Sequence, residues 1–209
     1  MKKNVSKIVS LVLAVAMCCC MCVTAFAAED NTISTAGGSG TTPVNLSTTK
    51  NGQIGGDPAA TALSVTVPTS LPMAMAQDGT VTTATNCKIT NNSYGAVRVK
   101  TVTIAGANGW KLTAFGDKTT LASEKVDSNK LGFAMSIGGG TQVKTDSKNA
   151  STQTLISAPA TGCYMSGVGN TSANSVSVLY DAIVTPLSNA ISNATVANIV
   201  IVVEWDTVS

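Results

Sequence analysis

Apolar residues recur at every second position in a series of short runs rich in Val, Ile and Thr, and turn-forming residues close off each run. Side chains on a strand alternate between its two faces, so this period suits half-buried strands and not helices. The turns fall at Asn51-Gly52, Asp78-Gly79, Asn92-Ser93, Asn108-Gly109 and Gly138-Gly139-Gly140. Such punctuation predicts an all-β fold, an antiparallel β-sandwich. Strands are expected over 43–49, 62–68, 85–90, 96–105, 109–115, 131–137, 153–157, 175–184 and 196–205. Helix signals are confined to one short stretch within 119–130 and a turn near 186–192.

Two of these runs carry more detail. In "AVRVKTVTIA" (96–105), Val97 and Val99 share one parity whereas Val102 and Ile104 share the other. The apolar face must therefore switch near Lys100-Thr101, which a β-bulge or a bend between sheets achieves. In "VANIVIVVEW" (196–205), Ile199, Ile201, Val203 and Trp205 lie on one face, and Val200 and Val202 on the other. Apolar residues on both faces predict a central strand, covered on each side. For 62–68 the expected apolar face is Leu63, Val65 and Val67.

The N-terminus has a different grammar. Lys2, Lys3 and Lys7 precede an apolar run from Ile8 to Val23, followed by Ala25-Phe26-Ala27 and the acidic Glu29 and Asp30. This is the pattern of a secretory signal peptide over 1–27, cleaved after Ala27. The run falls short of the ~20 residues that span a bilayer, so no transmembrane anchor is expected after cleavage. Four of the six cysteines, Cys18, Cys19, Cys20 and Cys22, sit inside the run. Adjacent thiols make a poor metal site, and Val15-Ala16-Met17 before Cys18 lacks a lipoprotein pattern. They read as small hydrophobes discarded with the leader. Intact mass should then give a mature chain starting at Ala28; a diacylglyceryl cysteine would contradict this. Residues 28–42, "AEDNTISTAGGSGTT", are polar and have no apolar period, so a flexible N-terminal segment is expected before the sandwich of 43–209. No sortase signal follows the last run, so covalent wall attachment is not expected.

Cleavage at Ala27 would leave 182 of the 209 residues, with 10 basic and 11 acidic side chains, and the net charge of +2 would become −1. Without a Lys/Arg stripe, nucleic acid is not an expected partner. The chain has no histidine, which excludes Ser-His-Asp and Cys-His catalysis and His-ligated metals. Glu204 and Asp206 flank Trp205, and paired carboxylates can hydrolyse glycosides; at i and i+2 near a chain end they read as a solvated rim. Asp117, Glu124, Asp127 and Asp146 offer oxygen ligands for calcium but lack EF-hand spacing. No enzyme activity, cofactor or metal is expected.

Two cysteines persist, Cys87 and Cys163. An exported compartment permits a disulfide between them, closing a loop of roughly 76 residues worth ~4–5 kcal/mol in the chain-entropy model. Two separately buried thiols are the other arrangement, and only spatial proximity decides. Trp110 and Trp205, the only tryptophans, are candidate ligand-binding residues as aromatic platforms, against the alternative that a strand Trp is core.

"LSVTVPTSLPM" (63–73), "ATNCKITNNS" (84–93), "NGWKLTAF" (108–115) and "VANIVIVVEWDTV" (196–208) resemble secreted proteins of Gram-positive Firmicutes. The order of parts is similar to the WxL surface domain: an opening strand with Val-Pro, an internal Gly-Trp-x-Leu and a second Trp-x-Leu near the C-terminus. Gly109-Trp110-Lys111-Leu112 matches the first motif, which adds Leu112 to the candidate binding residues. At the second position Trp205 is followed by Asp206-Thr207-Val208, without Leu. The resemblance implies a secreted, non-enzymatic protein at the cell surface, attached non-covalently to cell-wall peptidoglycan. A looser similarity to camelysin-type biofilm fibre subunits implies the alternative, self-assembly by donation of an N-terminal strand or contact with other surface proteins.

Overall fold

The computed structural model describes Leu46, Thr49–Lys50, Gln53–Ile54 and residues 62–207. The expected leader at 1–27, its cysteine cluster, the segment 28–42 and most of the strand expected at 43–49 lie outside the described residues. The chain divides into two units, 1–59 and 60–209. In the first, β1 (Thr49–Lys50) pairs antiparallel with β2 (Gln53–Ile54), with Asn51-Gly52 between them in sequence.

The second unit is an all-β sandwich. Its strands are β3 (Val65–Thr66), β4 (Met73–Met75), β5 (Val81–Thr83), β6 (Lys88–Asn91), β7 (Val97–Gly106), β8 (Lys111–Thr113), β9 (Lys130–Ile137), β10 (Val143–Lys144), β11 (Thr152–Ile156), β12 (Tyr164–Met165), β13 (Ser175–Val184) and β14 (Ala197–Trp205). A single helical turn, α1 (Thr119–Ala122), is all that forms within 119–130. One sheet runs β10-β9-β13-β6-β3, with β8 parallel to β9; the other is centred on β7, which pairs with β11, β12 and β14. β4 and β5 form a separate hairpin.

Alternation in the sequence becomes alternation in space. On β13, Val176, Val178, Tyr180 and Ala182 point inward, and Val178, Tyr180, Ala182 and Val184 lie opposite Ile137, Met135, Phe133 and Leu131 of β9. Two strands that align their apolar parity in this way fix their register, because a slip of one residue would turn every one of these side chains to the other face. The rings of Phe133 and Tyr180 stack at 6.0 Å.

The expected face switch in β7 is a bulge. Val202 of β14 pairs with Thr101, and the next residue, Val203, pairs with Val99, so Lys100 is the extra residue. Val97 and Val99 before it, and Val102 and Ile104 after it, are all fully buried. The bulge lets a ten-residue strand keep one face in the core despite its change of parity.

Two expectations are corrected, and one hairpin has no counterpart among the expected strands. β14 is an edge strand, not a central one, since it pairs only with β7 among the described residues. Its second apolar parity, Val200 and Val202, is 59% and 42% exposed; two apolar faces fit a strand open to solvent on one side as well as one covered on both. The run at 62–68 forms only the two-residue edge strand β3, with Leu63 and Val67 exposed. The hairpin β4–β5 has no clear signal in sequence, because Met73-Ala74-Met75 and Val81-Thr82-Thr83 carry too few alternating apolar residues to mark a period. It is held to β13 by Tyr180, whose hydroxyl accepts the Ala84 N–H and donates to the Pro72 carbonyl, while Thr83 Oγ1 donates to the Tyr180 carbonyl.

Candidate functional site: an open strand edge

The tryptophans are placed by opposite ends of β7. Asn108 and Gly109 both have positive φ, 51° and 84°, and the Trp110 N–H closes the turn on the Ala107 carbonyl at 2.9 Å. That turn tucks Trp110 against Gly106, where a Cβ would lie 2.2 Å from the Trp110 carbonyl oxygen. Trp205, at the end of β14, pairs opposite Val97. The nine residue steps of β7 from Val97 to Gly106 span about 30 Å at ~3.3 Å per residue. Both indoles are half-buried and pack on the core, and Leu112 is buried within it. The three candidate residues are therefore not brought to one platform. Replacing Trp110 by Ala should cost about 2 kcal/mol, below the 3–5 of a fully buried aromatic, as read by thermal melts. An unchanged melting temperature with loss of peptidoglycan binding would instead mark Trp110 as a binding platform.

Cys87 and Cys163 are free thiols. The Cys87 carbonyl accepts the Val178 N–H and that of Cys163 accepts the Val99 N–H. One cysteine is thus tied to the β13 sheet and the other to the β7 sheet. Both touch the same core, and Cys163 is fully part of it.

The carboxylates are likewise committed. Asp117 accepts hydrogen bonds from Thr119 and Thr120, Glu124 pairs with Lys130 at 2.7 Å, Asp127 holds Ser188, and Asp146 accepts the Lys148 N–H. Among the described residues no group of three or more His, Cys, Asp or Glu converges to hold a metal. Glu204 binds Lys100 at 2.8 Å and Arg98 at 2.9 Å, and Arg98 also reaches Asp206 at 3.4 Å. Hydrogen bonds from Lys100 and then Arg98 hold the Glu204 carboxyl below its usual range. A general acid needs the opposite shift.

What remains is β14 itself. The Val196 carbonyl accepts the Ala107 N–H, and the Asp206 N–H donates to the Ala96 carbonyl. Even-numbered residues at both ends thus turn their backbone groups toward β7. By alternation, Ala197, Ile199, Ile201, Val203 and Trp205 direct theirs to the open edge. These odd-numbered side chains pack against the core yet are only half-buried. On the outer face Val200 and Val202 stand exposed, beside the Glu204, Arg98 and Lys100 ion pairs. An edge strand is ordinarily blunted by Lys, Pro or brevity; residues 197–203 have no charge and no Pro, and the bulge lies on β7. Sequence reasoning named Val200 and Val202 but not their exposure, which goes with β14 having no further strand beside it among the described residues. Compared with known proteins, the chain matches no family model, no curated protein and no solved structure.

Proposed function

We propose that this is an exported, non-enzymatic structural protein of the cell surface that makes its contacts through strand edges. The leader pattern at 1–27 supports export, and the resemblance to secreted surface sandwiches supports the location. The observation that carries the mode of action is the β14 edge, unpaired among the described residues and without charge over 197–203, with Val200 and Val202 exposed. A segment that adds to such an edge gains a full set of backbone hydrogen bonds, with side-chain contacts at alternate positions giving specificity. WxL-like attachment to peptidoglycan is the second reading, favoured by Trp110, which stays half-exposed on a tight turn next to the exposed Lys111.

The chain beginning at Ala28 separates the two in one comparison. Strand-edge function predicts concentration-dependent oligomers in solution and no enrichment in the pellet with purified peptidoglycan. A protein that stays monomeric at high concentration and sediments with peptidoglycan would overturn that reading in favour of wall attachment. A second chain beginning at Ala62 tests the donated strand: if residues 43–49 complete a neighbour's sheet, removing them should abolish assembly.

A further inference from the structure

We infer that the β14 edge pairs with the β14 edge of a second copy of this chain, antiparallel and about a two-fold axis at Ile201. This rests on the reading that the protein works through strand edges, and it names the partner.

The strand is self-complementary in several independent respects. Its open edge carries the backbone groups of five alternate residues, Ala197 to Trp205. In an antiparallel pair centred on Ile201, these residues fall opposite one another: Ile201 on Ile201, Ile199 on Val203, and Ala197 on Trp205. Each can exchange both of its hydrogen bonds with its opposite number. The even-numbered side chains then meet on the outer face as close, non-hydrogen-bonded pairs, with Val200 against Val202 of the partner's strand. The four exposed valines become one apolar patch spanning the axis.

Charge favours this direction and is compatible with this register. The only ionisable side chain within β14 is Glu204, near one end. A parallel pair in register would set Glu204 against its own copy, and like charges directly opposite are destabilising. The antiparallel pair about Ile201 sets Glu204 against Asn198, which is exposed and uncharged. Glu204 is also already matched by Arg98 and Lys100 of its own chain, so it brings no unpaired charge to the seam. Shifting the axis to residue 204 would bring the two carboxylates together and separate the valines.

The same pairing covers the half-buried side of the strand. Ile199, Ile201, Val203 and Trp205 lean on the core but keep one flank open, whereas their neighbours on β7 are fully buried. A strand laid along β14 closes that flank, as β14 closes it for β7. An isologous contact of this kind forms a closed dimer whose β14 edges are both used up.

The test exchanges charge at the two valines, which are exposed and leave the core intact. Sedimentation equilibrium is run on the chain beginning at Ala28, on Val200→Lys/Val202→Lys and on Val200→Glu/Val202→Glu, with melting temperatures confirming that each folds. Pairing about Ile201 predicts a dimer for the unaltered chain and at least a tenfold loss of dimer for each charged variant alone. Mixing the two variants one to one should restore the dimer, because each Lys then meets a Glu. Charged variants that dimerise as well as the unaltered chain would overturn β14 pairing and leave another edge to carry the strand-edge function. Loss in both variants without recovery on mixing would overturn the register about Ile201. An unaltered chain that is monomeric at millimolar concentration would overturn both the pairing and the strand-edge reading beneath it.

Discussion

Asn91→Ala is expected to lower stability by about 3–5 kcal/mol, at ~1–3 kcal/mol for each buried group left without a partner. Asn91 is fully buried at the end of β6. Its Nδ2 donates to the carbonyls of Gly95 and Ser166, both at 2.8 Å, and its Oδ1 accepts the Ser93 N–H at 2.8 Å. One side chain thus ties the turn before β7 to the segment that follows β12. Alanine would leave two carbonyls and an amide without their side-chain partner at a position with no solvent exposure. For a unit of about 150 residues, each kcal/mol moves the melting temperature by roughly 2–4 °C, so a fall on the order of 10 °C should be seen. Asn92→Ala supplies the contrast. That neighbour is exposed and its side chain donates to Thr66 Oγ1, and loss of that side chain should cost less than about 1 kcal/mol. Equal effects at the two positions would contradict the buried-hub role of Asn91.

Gly162→Ala should be comparably severe, for a different reason. Gly162 has φ +87°, and an added Cβ would lie 2.3 Å from the Ile137 carbonyl oxygen and 2.9 Å from that of Gly138. Both obstacles are backbone, so no side chain can swing away. The left-handed conformation alone costs an L-residue ~1–2 kcal/mol, and forcing apart packed backbone adds ~1–3, for a total of about 3 kcal/mol or more. Gly79→Ala separates the two parts: its φ is +81°, but nothing lies within 4 Å of its Cβ position. It should cost only about 1–2 kcal/mol. Chemical denaturation of both variants measures the difference, and Gly162→Ala matching Gly79→Ala would show that the close approach to β9 does not exist.

The parts of this fold that could be read from sequence are those where a long period-two run meets a core. The expected bounds of β7, β9, β13 and β14 agree with the structure to within a residue or two, and the face switch near Lys100-Thr101 is legible as a bulge or a bend, of which the structure has the bulge. Short strands without that signal were lost. β10 and β12 are two residues each, and β4–β5 is held by hydrogen bonds from Tyr180, a long-range partner that no local pattern announces. Asn91 looks in sequence like any other Asn in a turn-rich chain, since its importance comes from which carbonyls surround it.

The candidate edge was half legible. Val200 and Val202 were seen as apolar, but whether a strand is central or at an edge depends on how many neighbours the sheet supplies, which local sequence does not encode. The cysteines illustrate the same limit on local reading: their spacing allows a bridge, whereas the structure carries both as free thiols. Trp110 and Trp205 are each candidate platforms by their chemistry alone, and sequence does not show that β7 holds them at its two ends.

The open β14 edge is tested most directly by residue-resolved amide hydrogen exchange across β14, in dilute and in concentrated solutions of the chain beginning at Ala28. In dilute solution, the amides of Asn198, Val200, Val202 and Glu204 should be protected by β7, and those of Ala197, Ile199, Ile201, Val203 and Trp205 should exchange quickly. At high concentration the second set should become protected as well. Slow exchange at all nine positions in the dilute monomer, with no change on concentration, would mean that the edge is already covered and would contradict a role in pairing.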